Sequence, residues 1–165
     1  MGLATAQLLA SRGARISLAD INEKALEEAI ESLPNSDKHM FTVIDVRNSK
    51  SVDGWIQLTV DRLGKLDGAV NIAGGISPAA PIIEETDDNW DFTFAVNTRG
   101  VFFCLRAQLK AMKAGGSIVS LISVSNRRDT TLNPFWNRFL LQVCSDRWVP
   151  PVSRLIAPAK QLLLG

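Results

Sequence analysis

Short strand-like segments alternate along this chain with amphipathic segments of helical period, and this alternation restricts the fold more than any other feature. The predicted strands are residues 15–20, 40–44, 68–72 and 117–122. The predicted helices are residues 3–12, 23–33, 49–63 and 88–114. Parallel strands need long crossover connections, and crossover helices cover the faces of the sheet. The sequence therefore predicts an α/β fold with a doubly wound parallel sheet.

Composition excludes several classes of function. The 165 residues are 46% hydrophobic and 21% charged, with a formal net charge of +1 and no basic stripe, so nucleic-acid binding is not expected. No apolar run reaches membrane-spanning length and the N-terminus lacks a signal-peptide pattern, so we expect no membrane insertion and a cytoplasmic location. Cys104 and Cys144 lie in apolar surroundings without a metal-binding pattern, and no metal is expected. His39 precedes a strand and is expected at the surface rather than as a base.

Polar residues stand at the carboxyl ends of all four predicted strands, where ligands bind in open α/β sheets. Asp20 ends the first strand and could bind the ribose hydroxyls of a dinucleotide, which would favour NAD over NADP. It could equally cap the helix that starts near Asn22. Asp45 follows the second strand and Asn71 the third, and Ser123 would end the fourth. For each of these alone, a turn or cap role is an alternative.

Several motifs together resemble the short-chain dehydrogenase/reductase family. Residues 1–6, Met-Gly-Leu-Ala-Thr-Ala, are similar to the end of the family's glycine-rich turn. Residues 45–46 are similar to its adenine-contacting Asp-Val, and residues 71–74 to its Asn-x-Ala-Gly. Residues 95–98 contain the helix asparagine of the family, Asn97. Residues 116–123 resemble the strand that ends with its catalytic serine.

The resemblance implies an oxidoreductase that transfers hydride between NAD, or NADP, and a secondary alcohol or ketone. It implies a catalytic role for Ser123, which would polarise the substrate carbonyl, and for Asn97, which would hold a water in the proton relay. The residues implied to bind the cofactor are Gly2, Leu3, Asp20, Ile21, Asp45, Val46, Asn71, Ala73 and Gly74. A homo-oligomer through the long helix 88–114 would also fit.

The chain departs from the family pattern at both ends. The family's first strand and Tyr-x-x-x-Lys motif are not found, and the 165 residues contain no tyrosine. We therefore expect a truncated member, with a partial Rossmann-like domain over residues 1–127 and an irregular tail over 128–165. In the family's strand order the first strand lies between two others, so its neighbours would have open edges. Impaired or absent catalysis is expected; the alternative is a non-catalytic remnant that acts as a binding or interaction module or has no function.

Overall fold

The structure, a computed structural model, describes residues 1–78 and 81–121. Its helices are α1 (Gly2–Ser11), α2 (Glu23–Glu31), α3 (Ser49–Leu63), α4 (Asp87–Phe94) and α5 (Val101–Ala111). Its strands are β1 (Ser17–Asp20), β2 (Met40–Val43), β3 (Leu66–Asn71) and β4 (Met112–Ser120). A π-helical turn, Ala95–Gly100, joins α4 to α5. Short 3₁₀ turns occupy Ser36–Lys38 and Ile82–Glu84. The tail expected at 128–165 lies outside the described residues.

Local capping explains where the first helices begin and end. The side chain of Asn22 accepts a hydrogen bond from the N–H of Ala25, at 3.0 Å, and Asn48 caps α3 in the same way. Gly13 and Gly64 follow α1 and α3 with φ angles of 87° and 83°, a region that glycine adopts without strain. The predicted starts of α2 and α3 and the predicted ends of α1 and α3 are confirmed to within one residue.

The long helix ends three residues before its predicted end. Its last residue is Ala111, and β4 begins at once with Met112, which pairs with Leu66. The next pairing joins Ser117 to Gly68, so the intervening residues form an irregular bulge. Gly115 and Gly116 lie inside this bulge. The pairing of Met112 with β3 therefore ends the helix earlier than local sequence indicates.

The four strands form two separate parallel pairs, β1–β2 and β3–β4. No ladder joins the pairs within the described residues, and β1 and β3 each keep one unpaired edge. The α/β class with parallel strands is confirmed. The open edges also agree with the expectation that another strand belongs between β1 and β3 in the family's strand order.

Helices cover both faces of the β1–β2 pair. Leu18 packs on a small cluster around Ala6 and Ala10 of α1, whereas Ala19 packs on the larger cluster that contains Val52 of α3 and Cys104 of α5. The larger cluster contributes more to the core than the smaller one, because it joins α3 and α5 to the strands.

The β3–β4 pair differs, because the described helices cover only one of its faces. Val70 and Val119 are paired in register and are 42% and 55% exposed. Within the part of the chain that the structure describes, the face of β3–β4 that carries Val70 and Val119 is not covered by a helix. None of the described helices has the length and apolar character needed to cross a membrane.

His39 connects two elements rather than lying free at the surface. Its Nδ1 accepts a hydrogen bond from the N–H of Ile16, at 3.1 Å, and its Nε2 lies 2.9 Å from the carbonyl oxygen of Pro34. Because Nδ1 is an acceptor here, the neutral ring carries its proton on Nε2 and donates it to Pro34. The half-buried ring thus ties the end of the α2 segment to the start of β1.

Asn71 and Gln108 form a reciprocal amide pair between β3 and α5. The Asn71 Nδ2 donates to Gln108 Oε1 at 3.0 Å, and Gln108 Nε2 donates to Asn71 Oδ1 at 2.7 Å. Asn71 Nδ2 also lies 3.3 Å from the Oγ of Ser120 in β4. Gln108 is 1% exposed, so its amide depends on this partner for its hydrogen bonds.

We expect Gln108→Ala to lower the free energy of unfolding by about 1–3 kcal/mol, since it leaves the Asn71 amide short of partners. Urea denaturation followed by circular dichroism measures the change. The matched control is Gln57→Ala, because Gln57 is exposed and makes only a hydrogen bond to Asp61 within α3. Equal effects of the two substitutions would contradict a stabilising role for the amide pair.

Candidate functional site

The carboxyl ends of β2 and β3 lie against the same helical turn. A Cβ atom added to Gly100 in the π-helical turn would lie 2.9 Å from Cγ2 of Val46, which follows β2. Asn97, in the same turn, is hydrogen-bonded to Gly75, which follows β3. The structure therefore brings Val46 and the Asn71–Gly75 segment to one side of the core, as ligand sites in α/β sheets require.

Asn97 binds the backbone of Gly75 through both ends of its amide. Its Oδ1 accepts from the Gly75 N–H at 3.0 Å, and its Nδ2 donates to the Gly75 carbonyl at 2.6 Å. A Cβ atom at Gly74 would lie 3.3 Å from Asn97 Oδ1, so the loop passes close to the helix. Both ends of the Asn97 amide therefore have backbone partners. Its role in a proton relay stays a prediction.

Asp20 is exposed at the last position of β1. Its Oδ1 accepts the N–H of Asn22 at 3.0 Å, while α2 itself is capped by Asn22. No described residue donates to Oδ2 of Asp20. Asp20 thus stabilises the turn before the cap and keeps one carboxylate oxygen available. The alternative that Asp20 caps α2 is wrong, because Asn22 is the cap; its contact with a ribose stays a prediction.

Asp45 is held by Arg47. The Arg47 Nη2 lies 2.6 Å from Oδ2 of Asp45, and its Nε lies 2.9 Å and 3.0 Å from the two carboxylate oxygens. The hydrogen bonds from Arg47 hold the pKa of Asp45 below its ordinary value, against the opposing effect of partial burial. Any stability from this ion pair is present above the ordinary pKa of an aspartate and is lost as the pH falls through the lowered value.

The start of α1 is open to solvent. Gly2 and Leu3 are exposed, and the preceding Met1 makes no side-chain capping bond to the helix. A Cβ atom on Gly2 would meet nothing within 4 Å. Met1 therefore gives the first N–H groups of α1 no side-chain acceptor. Ile21, Ala73 and Gly74 are also exposed.

The remaining predicted residues divide into two groups. Ser123 and Cys144 lie outside the described residues. Cys104 is buried, and desolvation raises the pKa of its thiol to about 11, so it is not a reactive nucleophile. Within the described ranges, no group of histidine, cysteine, aspartate or glutamate side chains could hold a metal ion.

Sequence reasoning missed three residues that shape this site: Gln108, Gly75 and Arg47. Gln108 lies eleven residues after Asn97 and four after the buried Cys104, and this helical spacing places all three on one face. This helical spacing could have predicted that Gln108 is buried and hydrogen-bonded. The contacts of Gly75 and Arg47 depend on the fold, and no local pattern indicated them.

Comparison with known proteins identifies the family. A family model described as enoyl-(acyl carrier protein) reductase matches residues 1–134. A short-chain dehydrogenase/reductase, aba4 of Botryotinia fuckeliana, is 45% identical over 131 residues, which cover 75% of this chain and 50% of the relative. The chain belongs to the short-chain dehydrogenase/reductase family. Members of this family use NAD or NADP, and this chain is therefore related to oxidoreductases.

Other known proteins are similar to this chain over a comparable length. Chanoclavine-I dehydrogenase easD of Arthroderma benhamiae is 42% identical over 71% of this chain and 51% of its own length. The crystal structure of levodione reductase superposes with a TM-score of 0.68 at 34% identity, covering 72% of this chain and 48% of that one. A glucose/ribitol dehydrogenase of the family from Brucella melitensis has a TM-score of 0.69 at 30% identity, covering 74% and 50%. The chain thus spans about half the length of the relatives it matches.

We expect Asn97→Ala to lower the free energy of unfolding by about 1–3 kcal/mol, because it removes both hydrogen bonds to the Gly75 backbone. Thermal and urea denaturation measure the loss. Asn89→Ala in α4 is the matched control, since the Asn89 side chain makes no hydrogen bond within the described residues. If Asn97→Ala and Asn89→Ala lower the free energy of unfolding equally, the Asn97 hydrogen bonds to Gly75 do not stabilise this loop.

Proposed function

We propose that this chain carries the nucleotide-binding part of an oxidoreductase that transfers hydride between NAD and a secondary alcohol or ketone. Family membership supports the reaction class, and the arrangement at the strand ends supports the nucleotide site. The observation that carries the proposal is the available carboxylate oxygen of Asp20 at the carboxyl end of β1. Residues 1–127 would form this part, with residues 128–165 as a separate tail.

The chemistry of these groups fits a dinucleotide. The exposed first N–H groups of α1, near Gly2 and Leu3, suit a pyrophosphate, because a helix N-terminus favours anions. The free Oδ2 of Asp20 suits hydroxyl donors of a ribose. The further residues proposed to line the cofactor are Ile21, Asp45, Val46, Asn71, Ala73 and Gly74.

Asp20 supports NAD as the cofactor rather than NADP. A 2′-phosphate placed beside this carboxylate would meet like charge, whereas a free ribose hydroxyl would donate to it. Within the described residues no ion pair neutralises Asp20. The carboxylate therefore keeps its full charge toward a bound ribose.

In this proposal the protein orients a small alcohol or ketone and moves its proton. When bound, the nicotinamide supplies or accepts the hydride. Ser123 would donate a hydrogen bond to the substrate oxygen, and Asn97 would hold the loop after β3 in place beside it. The proton itself needs a group that can donate and accept, and general acid/base action is usually worth ~10²–10⁴ in rate. With no tyrosine among the 165 residues, we propose that this chain alone is impaired or inactive.

The second candidate is a non-catalytic remnant that binds nucleotide or another protein without turnover. The absence of tyrosine supports it, because the proposed nucleotide groups do not depend on that residue. Nucleotide binding without product formation would favour this alternative.

A homo-oligomer through the long helix, and a cytoplasmic location, are further parts of the proposal. Phe102 and Leu109 of α5 are 56% and 66% exposed, and their spacing of seven residues places them on one face of the helix. Such a pair of apolar side chains suits contact with a second copy of the chain.

We expect no turnover of alcohols or ketones by this chain above that of a Ser123→Ala control, because the proton-transfer group is missing. NADH formation and loss, measured against a panel of secondary alcohols and ketones, check this. Clear turnover that is abolished by Ser123→Ala would reveal an unrecognised acid/base residue and refute the proposed impairment.

We also expect Asp20→Ser to shift the ratio of NADPH to NADH affinity toward NADPH by about 5- to 150-fold, which corresponds to ~1–3 kcal/mol for one removed charge repulsion. Titration of cofactor fluorescence measures both affinities. Asp37→Ser is the control, because Asp37 lies in the 3₁₀ turn before β2, away from the carboxyl ends of the strands. An unchanged ratio in Asp20→Ser would place the ribose elsewhere.

A further inference from the structure

Gln108 of α5 is the most deeply buried polar side chain among the residues that the structure describes, at 1% exposure. A glutamine is seldom buried to this extent, because its amide needs hydrogen-bond partners away from water. Gln108 finds them in one residue, Asn71, through the reciprocal bonds of 3.0 Å and 2.7 Å. A side chain at this depth does not reach a ligand at the surface, so its effect on a binding site has to pass through Asn71.

Asn71 is the last residue of β3, and it joins three elements. Its Nδ2 donates to Gln108 in α5 and to the Oγ of Ser120 in β4, at 3.0 Å and 3.3 Å. Its carbonyl oxygen accepts the N–H of Leu121, directly after β4, at 2.8 Å. The two hydrogens of Nδ2 are thereby used, and this nitrogen has no donor left for a ligand. The contacts of Asn71 therefore fix where β3 ends.

The loop that leaves β3 is held at its two ends by one helical segment. Gln108 holds Asn71 at the start of the loop, and Asn97 holds the backbone of Gly75 at its end, through bonds of 3.0 Å and 2.6 Å. Ala73 and Gly74, between these two points, are exposed. The loop lies at the carboxyl end of a parallel strand, where ligands bind in α/β sheets.

Stability alone gives little reason for a buried amide pair at this place. Apolar side chains of the same shape can replace both partners of such a pair at little cost in the free energy of unfolding. The pair differs from apolar packing in its geometry, because a shift of the helix along the strand would leave buried polar groups without partners. The particular contribution of Gln108 is therefore the position of the β3 end relative to α5.

We infer that Gln108 is a positioning residue of the nucleotide site: through Asn71 it fixes the loop after β3, and it strengthens cofactor binding without contacting the cofactor. The inference rests on the proposed function, because it requires a nucleotide at the strand ends. None of the motifs that resemble the family includes residue 108.

The first test measures the affinity of the full chain for NAD by calorimetry. Gln108→Met keeps an unbranched side chain of similar size and removes both hydrogen bonds to Asn71. We expect it to weaken NAD binding by about 5- to 30-fold, at a temperature where circular dichroism shows the variant folded. Gln57→Met is the matched control and should bind NAD like the unmodified chain, because Gln57 is exposed and bonds only to Asp61 within α3.

Gln108→Glu separates positioning from a general loss of packing. A protonated carboxyl can donate to Asn71 Oδ1 and accept from Asn71 Nδ2, whereas a carboxylate can only accept. Burial favours the protonated form, so we expect NAD binding by this variant to be weak at about pH 8 and within about threefold of the unmodified chain at about pH 5. Asn71 and Ser120, the side chains of this hydrogen-bond network, do not titrate in that range. Gln108→Met should show no such recovery.

Hydrogen exchange gives a reading without cofactor. In folded Gln108→Met the Leu121 N–H should exchange faster than in the unmodified chain, because its acceptor is the carbonyl of Asn71. The Ile44 N–H is the reference amide and should be unchanged, since it bonds to the carbonyl of Asp20, in the β1–β2 pair. Equal acceleration at both amides would show a general loss of stability and would overturn the inference.

The binding results separate this inference from the proposed function. If the unmodified chain binds NAD and folded Gln108→Met binds it equally well, Gln108 does not position the site and the proposed function stands. Failure of Gln108→Glu to recover at low pH would overturn the inference in the same way. If the unmodified chain does not bind NAD, the nucleotide site itself is refuted, and the role of Gln108 with it.

Discussion

Paired side-chain amides fix the helical segment from α4 to α5 against the strands, and the arrangement of the site depends on them. Asn97 satisfies both backbone groups of Gly75, and Gln108 satisfies Asn71. Buried polar groups are costly without partners, so each amide specifies one position of the helix relative to the strand ends. The π-helical turn at Asn97 fits this constraint, since such turns recur where a helix must present a particular residue.

The separation of the strands into two pairs has a direct bearing on function. The proposed nucleotide groups lie on α1 and at the ends of β1, β2 and β3, and β1 and β3 each have an unpaired edge. The relatives are matched over about half of their own length, and they include a short-chain dehydrogenase/reductase and a chanoclavine-I dehydrogenase. In the proposal, the described part of this chain supplies the nucleotide-binding groups, and the 165 residues contain no tyrosine to transfer the proton.

At Asp45, a residue that matches the family motif makes contacts that the motif does not predict. Resemblance identifies Asp45 by its place after the second strand, but its hydrogen-bond capacity is used by a neighbour two residues away. Arg47 also contacts Phe92, some forty-five residues along the chain, and neither residue belongs to a motif that we recognised. The chemistry available at a motif position therefore depends on its partners as well as on its residue type.

The sequence by itself determined the order of strands and helices, the caps at Asn22 and Asn48, the helix ends at Gly13 and Gly64, and the family. These features are local, because capping, chain reversal and apolar period involve residues a few positions apart. Only the tertiary structure decided that His39 bridges two segments, that Gln108 pairs with Asn71, and that β4 begins at Met112. Each of these is a choice of partner made over twenty or more residues. These partners depend on which buried polar groups and strand edges come together in the folded chain, and local sequence does not specify them.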